Sequence, residues 1–138
     1  MKNPTKTELK NLIYKVNGAA IEVHKHLGPG LLESVYHQCM KLELDLRNVK
    51  YESEKVVEIA YKSHKLETKL RCDLFIENIL VVELKSVGDV PSIFEAQILT
   101  YMNLLNVPAG LFINFNVKNI FYEGQQTYVN EYCRTLEE

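Results

Sequence analysis

"DLFIENILVVELKS", residues 73–86, decides how this chain is read. It has the Leu, Ile, Val and Phe of a buried sheet, yet Asp73, Glu83 and Lys85 stand within it. Burying an unpaired charge is costly, so such groups must be paired, lie on a solvated face, or bind a metal. Glu77-Asn78 has turn chemistry, which folds the stretch into two antiparallel strands. If Phe75 pairs with Val81, then Asp73 faces Glu83 and Arg71 faces Lys85 on one side of the sheet. That register needs the loop Glu77-Asn78-Ile79, with Asn78 suited to positive φ. A loop one residue shorter would put the two acids on opposite faces unless a bulge intervened.

Facing carboxylates repel, and a divalent cation between them removes the repulsion. Oxygen ligands of this kind suit Mg²⁺ or Mn²⁺. Lys85 beside them would orient a water or hold a phosphate oxygen, an apparatus for phosphodiester hydrolysis. The competing reading is a salt-bridge cluster in which Lys85 and Arg71 neutralise Asp73 and Glu83. Spacing alone does not choose between them.

Outward from this hairpin the period changes. Thr5-Lys6-Thr7-Glu8 fits a capping box, and Leu9, Leu12, Ile13, Val16, Ala20, Val23 and Leu27 recur at helical spacing until Gly28-Pro29. A second helix over about 31–47 has Leu32, Val35, Cys39, Leu42 and Leu46 as its apolar stripe. Residues 51–61 predict a strand, and residues 65–76 alternate as another, with Cys72, Leu74 and Ile76 on one face. Pro91 and a second capping box, Ser92 to Glu95, open a third helix through about Leu105. "AGLFINF" (109–115) reads as an interior strand and "KNIFYE" (118–123) as one more. The tail from Gln125 fits either a strand or a short helix. Strands in a run, then a helical crossover to another strand, imply an α/β fold with a mixed central sheet flanked by helices, in one domain over 1–138.

Composition narrows the class. The chain is 46% hydrophobic and 25% charged, as ordinary globular proteins are, and its three cysteines show no CxxC pairing. Reduced thiols, no zinc site and a cytoplasmic setting are expected. No apolar run approaches a membrane span or a signal peptide. The net charge of −2 speaks against an extended nucleic-acid surface, but charge is uneven. Residues 61–72 hold Lys62, Lys65, Lys69 and Arg71 against Glu67 alone, while residues 73–138 hold nine acids against three bases. Basic stretches beside an acidic centre would guide a phosphate backbone towards a metal.

Two helical pairs complete the constellation. Glu33 and Tyr36 lie one turn apart on the second helix, and Gln97 and Tyr101 one turn apart on the third. His24, His26 and His37 rank lower as ligands, and no cysteine has an evident base partner.

Taken together, these motifs resemble the GxxExxY protein family, a branch of the PD-(D/E)XK nuclease superfamily. Gly30, Glu33 and Tyr36 carry the naming motif. Asp73, followed by Glu83-Leu84-Lys85, carries the superfamily signature. Gln97 to Tyr101 resembles the QxxxY motif of RecB-like nucleases, and "GLFINFN" (110–116) the strand that follows. The resemblance covers roughly residues 13 to 123. It implies a restriction-endonuclease-like core with Asp73 and Glu83 as metal ligands, Lys85 as the catalytic lysine and Glu33 as the helix-borne acid completing the metal site. Gln97 and Tyr101 would position water, lysine or backbone. Lys69, Arg71 and Tyr36 would contact nucleic acid. The expected activity is Mg²⁺- or Mn²⁺-dependent hydrolysis of DNA. The alternative is an inactive nuclease-fold module that binds nucleic acid or a protein, and small size with an acidic balance would also suit completion by a homodimer or protein partner.

Overall fold

A computed structural model of the chain describes residues 3–138. Helix α1 (Lys6–Leu27) starts where expected: the Thr5 hydroxyl accepts from the Glu8 N–H at 3.0 Å. It ends at Gly28, whose N–H donates to the His24 carbonyl. Helix α2 (Glu33–Leu46) follows a short loop through Gly30, which sits at φ +94°, a conformation open to glycine and strained for other residues. The buried face of α2 is not the leucine stripe read from the sequence. Tyr36, Met40 and Leu44 are buried; of the predicted stripe Val35 and Cys39 are half-buried, Cys39 packing against the core, whereas Leu32, Leu42 and Leu46 are exposed, Leu46 by 78%. One tertiary contact accounts for the rotation: the Tyr36 ring stacks on Phe115, centroids 4.4 Å apart, and turns that face inward.

Strands β1 (Tyr51–Val57), β4 (Leu70–Ile76), β5 (Leu80–Lys85), β6 (Ala109–Asn114) and β7 (Gln125–Val129) form one mixed sheet in the order β1-β4-β5-β6-β7. Between β1 and β4 a separate hairpin, β2 (Ala60–Tyr61) and β3 (His64–Lys65), forms its own small sheet. Only β5 and β6 run parallel, joined by the crossover helix α3 (Ile93–Leu105). A short helix, α4 (Glu131–Arg134), follows β7. Strand alternation divides the core. Leu74, Ile76, Leu80, Val82 and Leu84 pack with α1 and α2, while Phe75, Val81 and Phe112 pack with Ile98, Tyr101 and Met102 of α3. The result is a sheet with α1 and α2 on one face and α3 on the other, the restriction-endonuclease-like arrangement expected. No described helix is long and apolar enough to cross a membrane.

Several local expectations change. The strand read over 51–61 breaks after Val57, and the next begins at Leu70 rather than at residue 65, because residues 60–65 pair with each other. Ser92 has helical dihedrals and no side-chain cap; α3 instead starts on a turn in which the Glu95 N–H donates to the Ser92 carbonyl. The stretch 118–123 is not a strand. It leads into a π-helical turn, Ile120–Gly124, with the Asn119 side chain accepting from the Tyr122 N–H. Gly124 is required there: a Cβ would clash with the Asn114 carbonyl oxygen. The tail proves to be strand and short helix in succession.

Candidate active site

The site lies where β4 and β5 part. Their register is the one in which Phe75 pairs with Val81 and Ile76 with Leu80, and Glu77 as well as the expected Asn78 takes positive φ in the loop. The ladder stops at Leu74–Val82, however. Asp73 does not pair with Glu83 across it. The Asp73 Oδ2 instead accepts from the Leu84 backbone N–H at 2.7 Å, so a side chain replaces a main-chain rung. On the other side of β4 the β1 rung at Asp73 is also missing, opposite Glu54 at φ +52°. The alternation of β4 changes phase at this point. Cys72 packs with the α3 cluster, while Leu74 and Ile76 pack with α1 and α2. Consequently Cys72 does not share a face with Leu74, and Arg71 does not face Lys85; it pairs with Val56 and is exposed. With one residue opposite one, Glu54 against Asp73, this irregularity re-aims a side chain and leaves the β1–β4 register the same on both sides of it.

Glu83 follows Val81 on the α3 face and is 5% exposed. Its Oε1 is buried and has no hydrogen-bond partner. Burial, and after it the hydrogen bond and charge of Asp73, push the Glu83 carboxyl up to about 10, against which Lys85 acts. A lone buried carboxylate oxygen is costly, and a cation beside it would offset that cost. The Asp73–Glu83 pair thus offers hard oxygen donors of the type Mg²⁺ and Mn²⁺ take.

Glu33 is the first residue of α2, on the opposite layer. Burial raises its pKa; Lys85 and His37 lower it and Asp73 raises it. Its field therefore overlaps that of Lys85 and Asp73, but the expected convergence of Glu33, Asp73 and Glu83 on one ion is not formed. Among the described residues no three acids, histidines or cysteines come together closely enough to hold a metal. Asp73 is committed to the Leu84 N–H, and Glu33 leaves the loop at the start of α2, on the layer opposite the Glu83 face.

Lys85 is half-buried, with its Nζ 4.9 Å from the centroid of the Phe94 ring. It makes no ion pair with a described residue, so the salt-bridge cluster is not what holds Asp73 and Glu83. On α3 the Gln97 amide donates to the Tyr101 hydroxyl at 3.1 Å. Tyr101 is buried, and burial followed by the charge of Glu83 raises its pKa.

Tyr36 is fully buried and has no surface to offer a nucleic acid. Its hydroxyl donates to the Gly28 carbonyl at 2.6 Å and accepts from the Leu31 N–H at 3.2 Å, clamping the loop before Glu33. Lys69 and Arg71 are exposed. His37 turns away to the Ser53 hydroxyl, and His24 to the Val117 carbonyl. The Cys72 thiol, pushed up to about 12 chiefly by burial, is inert.

Three residues that sequence reasoning passed over support the site. Phe94 seats Lys85. Ser86 donates to the Leu31 carbonyl at 2.7 Å and ties the end of β5 to the clamped loop. Asn114, 2% exposed, accepts from the Val87 N–H and donates to the Val87 carbonyl, fixing the chain after Lys85. A lone amide inside the apolar "GLFINF" was the available signal for Asn114; Phe94 and Ser86 carried none.

A family model described as the PD-(D/E)XK nuclease superfamily matches residues 10–126. No curated protein and no solved structure matches the chain.

Proposed function

The chain belongs to the PD-(D/E)XK nuclease superfamily, and from that premise we propose that it hydrolyses phosphodiester bonds of DNA with Mg²⁺ or Mn²⁺ at Asp73 and Glu83. The observation that carries this reading is the buried, unpartnered Oε1 of Glu83 beside Asp73. A cation held there would supply Lewis-acid stabilisation of the charge developing on the phosphate. Lys85 provides a positive group for a phosphate oxygen or an attacking water, and Phe94 supports it without neutralising it. Gln97 fixes the Tyr101 hydroxyl next to Glu83 and so holds that wall of the site. Glu33, raised in pKa and near Lys85, is assigned to hold a proton or a water at the mouth. Assignment to the GxxExxY branch belongs to the same proposal and rests on Gly30, Glu33 and Tyr36. Gly30 forms the loop, Tyr36 clamps it and Glu33 leaves it.

One observation favours a second reading, an inactive nuclease-fold module: no three-ligand group is assembled among the described residues. Calorimetric titration with Mn²⁺ and nicking of plasmid and single-stranded DNA, on wild type and Asp73→Ala, separate the two. Heat and cleavage in the wild type, both lost in Asp73→Ala, support the nuclease. A wild type that neither binds Mn²⁺ nor cuts any DNA leaves the module.

A further inference from the structure

We infer that the β2–β3 hairpin, with the chain leading from it into β4, is a grip for a single strand of nucleic acid beside the scissile phosphate. The inference rests on the nuclease reading for the substrate class and on separate residues for the contact. Its first ground is position. Val57 of β1 pairs with Leu70 of β4, and β4 runs antiparallel to β5, so the hairpin emerges from the sheet end at which Lys85 lies. Asp73 follows Leu70 by only three residues, about 10 Å of strand.

The second ground is chemistry. Ala60, Tyr61, His64 and Lys65 are all exposed and pair only with one another. The turn is made by Lys62 and Ser63, both at positive φ although neither is glycine. Lys65 is held by Glu58 at 3.0 Å. Lys62, Lys69 and Arg71 make no ion pair with a described residue, and Glu67 is the one acid between residues 61 and 72. Three free, exposed cations that precede Asp73 in the chain suit a phosphate backbone.

The third ground selects the strandedness. Tyr61 is 63% exposed, with the Lys62 Nζ 5.5 Å from its ring centroid. A duplex hides its base faces and would be met by the cations alone. A cation beside an exposed ring suits unpaired bases, which stack on aromatic side chains regardless of sequence.

Fluorescence anisotropy in EDTA, with a labelled DNA single strand of about 20 nucleotides and the matching duplex, tests this apart from catalysis. The single strand should bind wild type more tightly than the duplex does. Tyr61→Ala should weaken single-strand binding about tenfold, leave duplex binding unchanged and be rescued by Tyr61→Phe. The triple variant Lys62→Ala, Lys69→Ala, Arg71→Ala should reduce the slope of log K against log salt by about 2. All these side chains are exposed, so each variant should keep the wild-type melting temperature. Stronger duplex binding, or single-strand affinity untouched in Tyr61→Ala and in the triple variant, overturns the grip. Cleavage by the wild type in Mn²⁺ with such untouched variants leaves the nuclease reading in place. Binding that depends on the hairpin, without cleavage, leaves the grip and removes the enzyme.

Discussion

The Nζ of Lys85 stands 4.9 Å from the centroid of the Phe94 ring and pairs with neither Asp73 nor Glu83. The two carboxyl groups are accommodated by other means: the Leu84 N–H donates to Asp73, and burial beside Asp73 raises the Glu83 pKa to about 10, which favours its neutral form. Lys85 is thereby left available to act on something other than its neighbours.

Replacement of Lys85 should separate stability from activity. Were Lys85 the neutralising partner, Lys85→Met would cost about 1–3 kcal/mol through the buried acids left behind. With no ion pair to lose, the variant gives up only the contact with Phe94, about 0.5–1 kcal/mol at a half-buried site, and urea denaturation should place it within about 1 kcal/mol of wild type. Cleavage should disappear while Mn²⁺ still binds. A large loss of stability would restore the salt-bridge cluster.

Phe94→Leu removes the ring under the ammonium but keeps an apolar side chain. A cation–π interaction of this kind is worth about 0.5–2 kcal/mol. The turnover rate should fall several-fold with little change in KM, and Phe94→Tyr should recover it. Equal rates in Phe94→Leu and wild type would show that the ring does not position Lys85.

Glu83 makes the metal-free protein sensitive to alkali. Its carboxyl is raised from 4.5 to about 10 in the fold. Below pH 4.5 folded and unfolded chains both carry the proton, and the contribution to stability is fully present. Between 4.5 and about 10 the folded chain holds a proton that the unfolded chain has released, so stability falls as pH rises. The melting temperature in EDTA should decline across this window, and Glu83→Gln should flatten the decline. Mn²⁺ should bind more tightly at higher pH and release a proton, read by calorimetry in buffers of different ionisation enthalpy. Identical pH profiles for wild type and Glu83→Gln would contradict the assignment.

Tyr36→Phe leaves the stack on Phe115 and removes only the hydroxyl. The Gly28 carbonyl and the Leu31 N–H lose their partner, a cost of about 1–3 kcal/mol by chemical denaturation. Because Ser86 is tied to the same loop through the Leu31 carbonyl, hydrogen exchange at residues 29–33 and 86–88 should speed up together. Faster exchange confined to the first segment would uncouple the clamp from the end of β5.

The sequence by itself determined that 73–86 folds as two antiparallel strands about Glu77-Asn78, and narrowed their register to few choices. Of the pairings the loop allows, the one that joins Phe75 to Val81 across Glu77-Asn78-Ile79 is the one the chain adopts, up to Leu74–Val82. It also marked α1, the crossover helix and the acids to watch, since periodicity and punctuation are local properties. What only the tertiary structure decided depends on partners distant in the chain. The phase change at Asp73 requires a matching irregularity at Glu54, nineteen residues away on β1. The rotation of α2 follows from Tyr36 stacking on Phe115, which a stripe of leucines within one helix cannot encode. The seat of Lys85 on Phe94 exists only once α3 lies across β5, because a side chain finds its electrostatic partner in space and not in sequence.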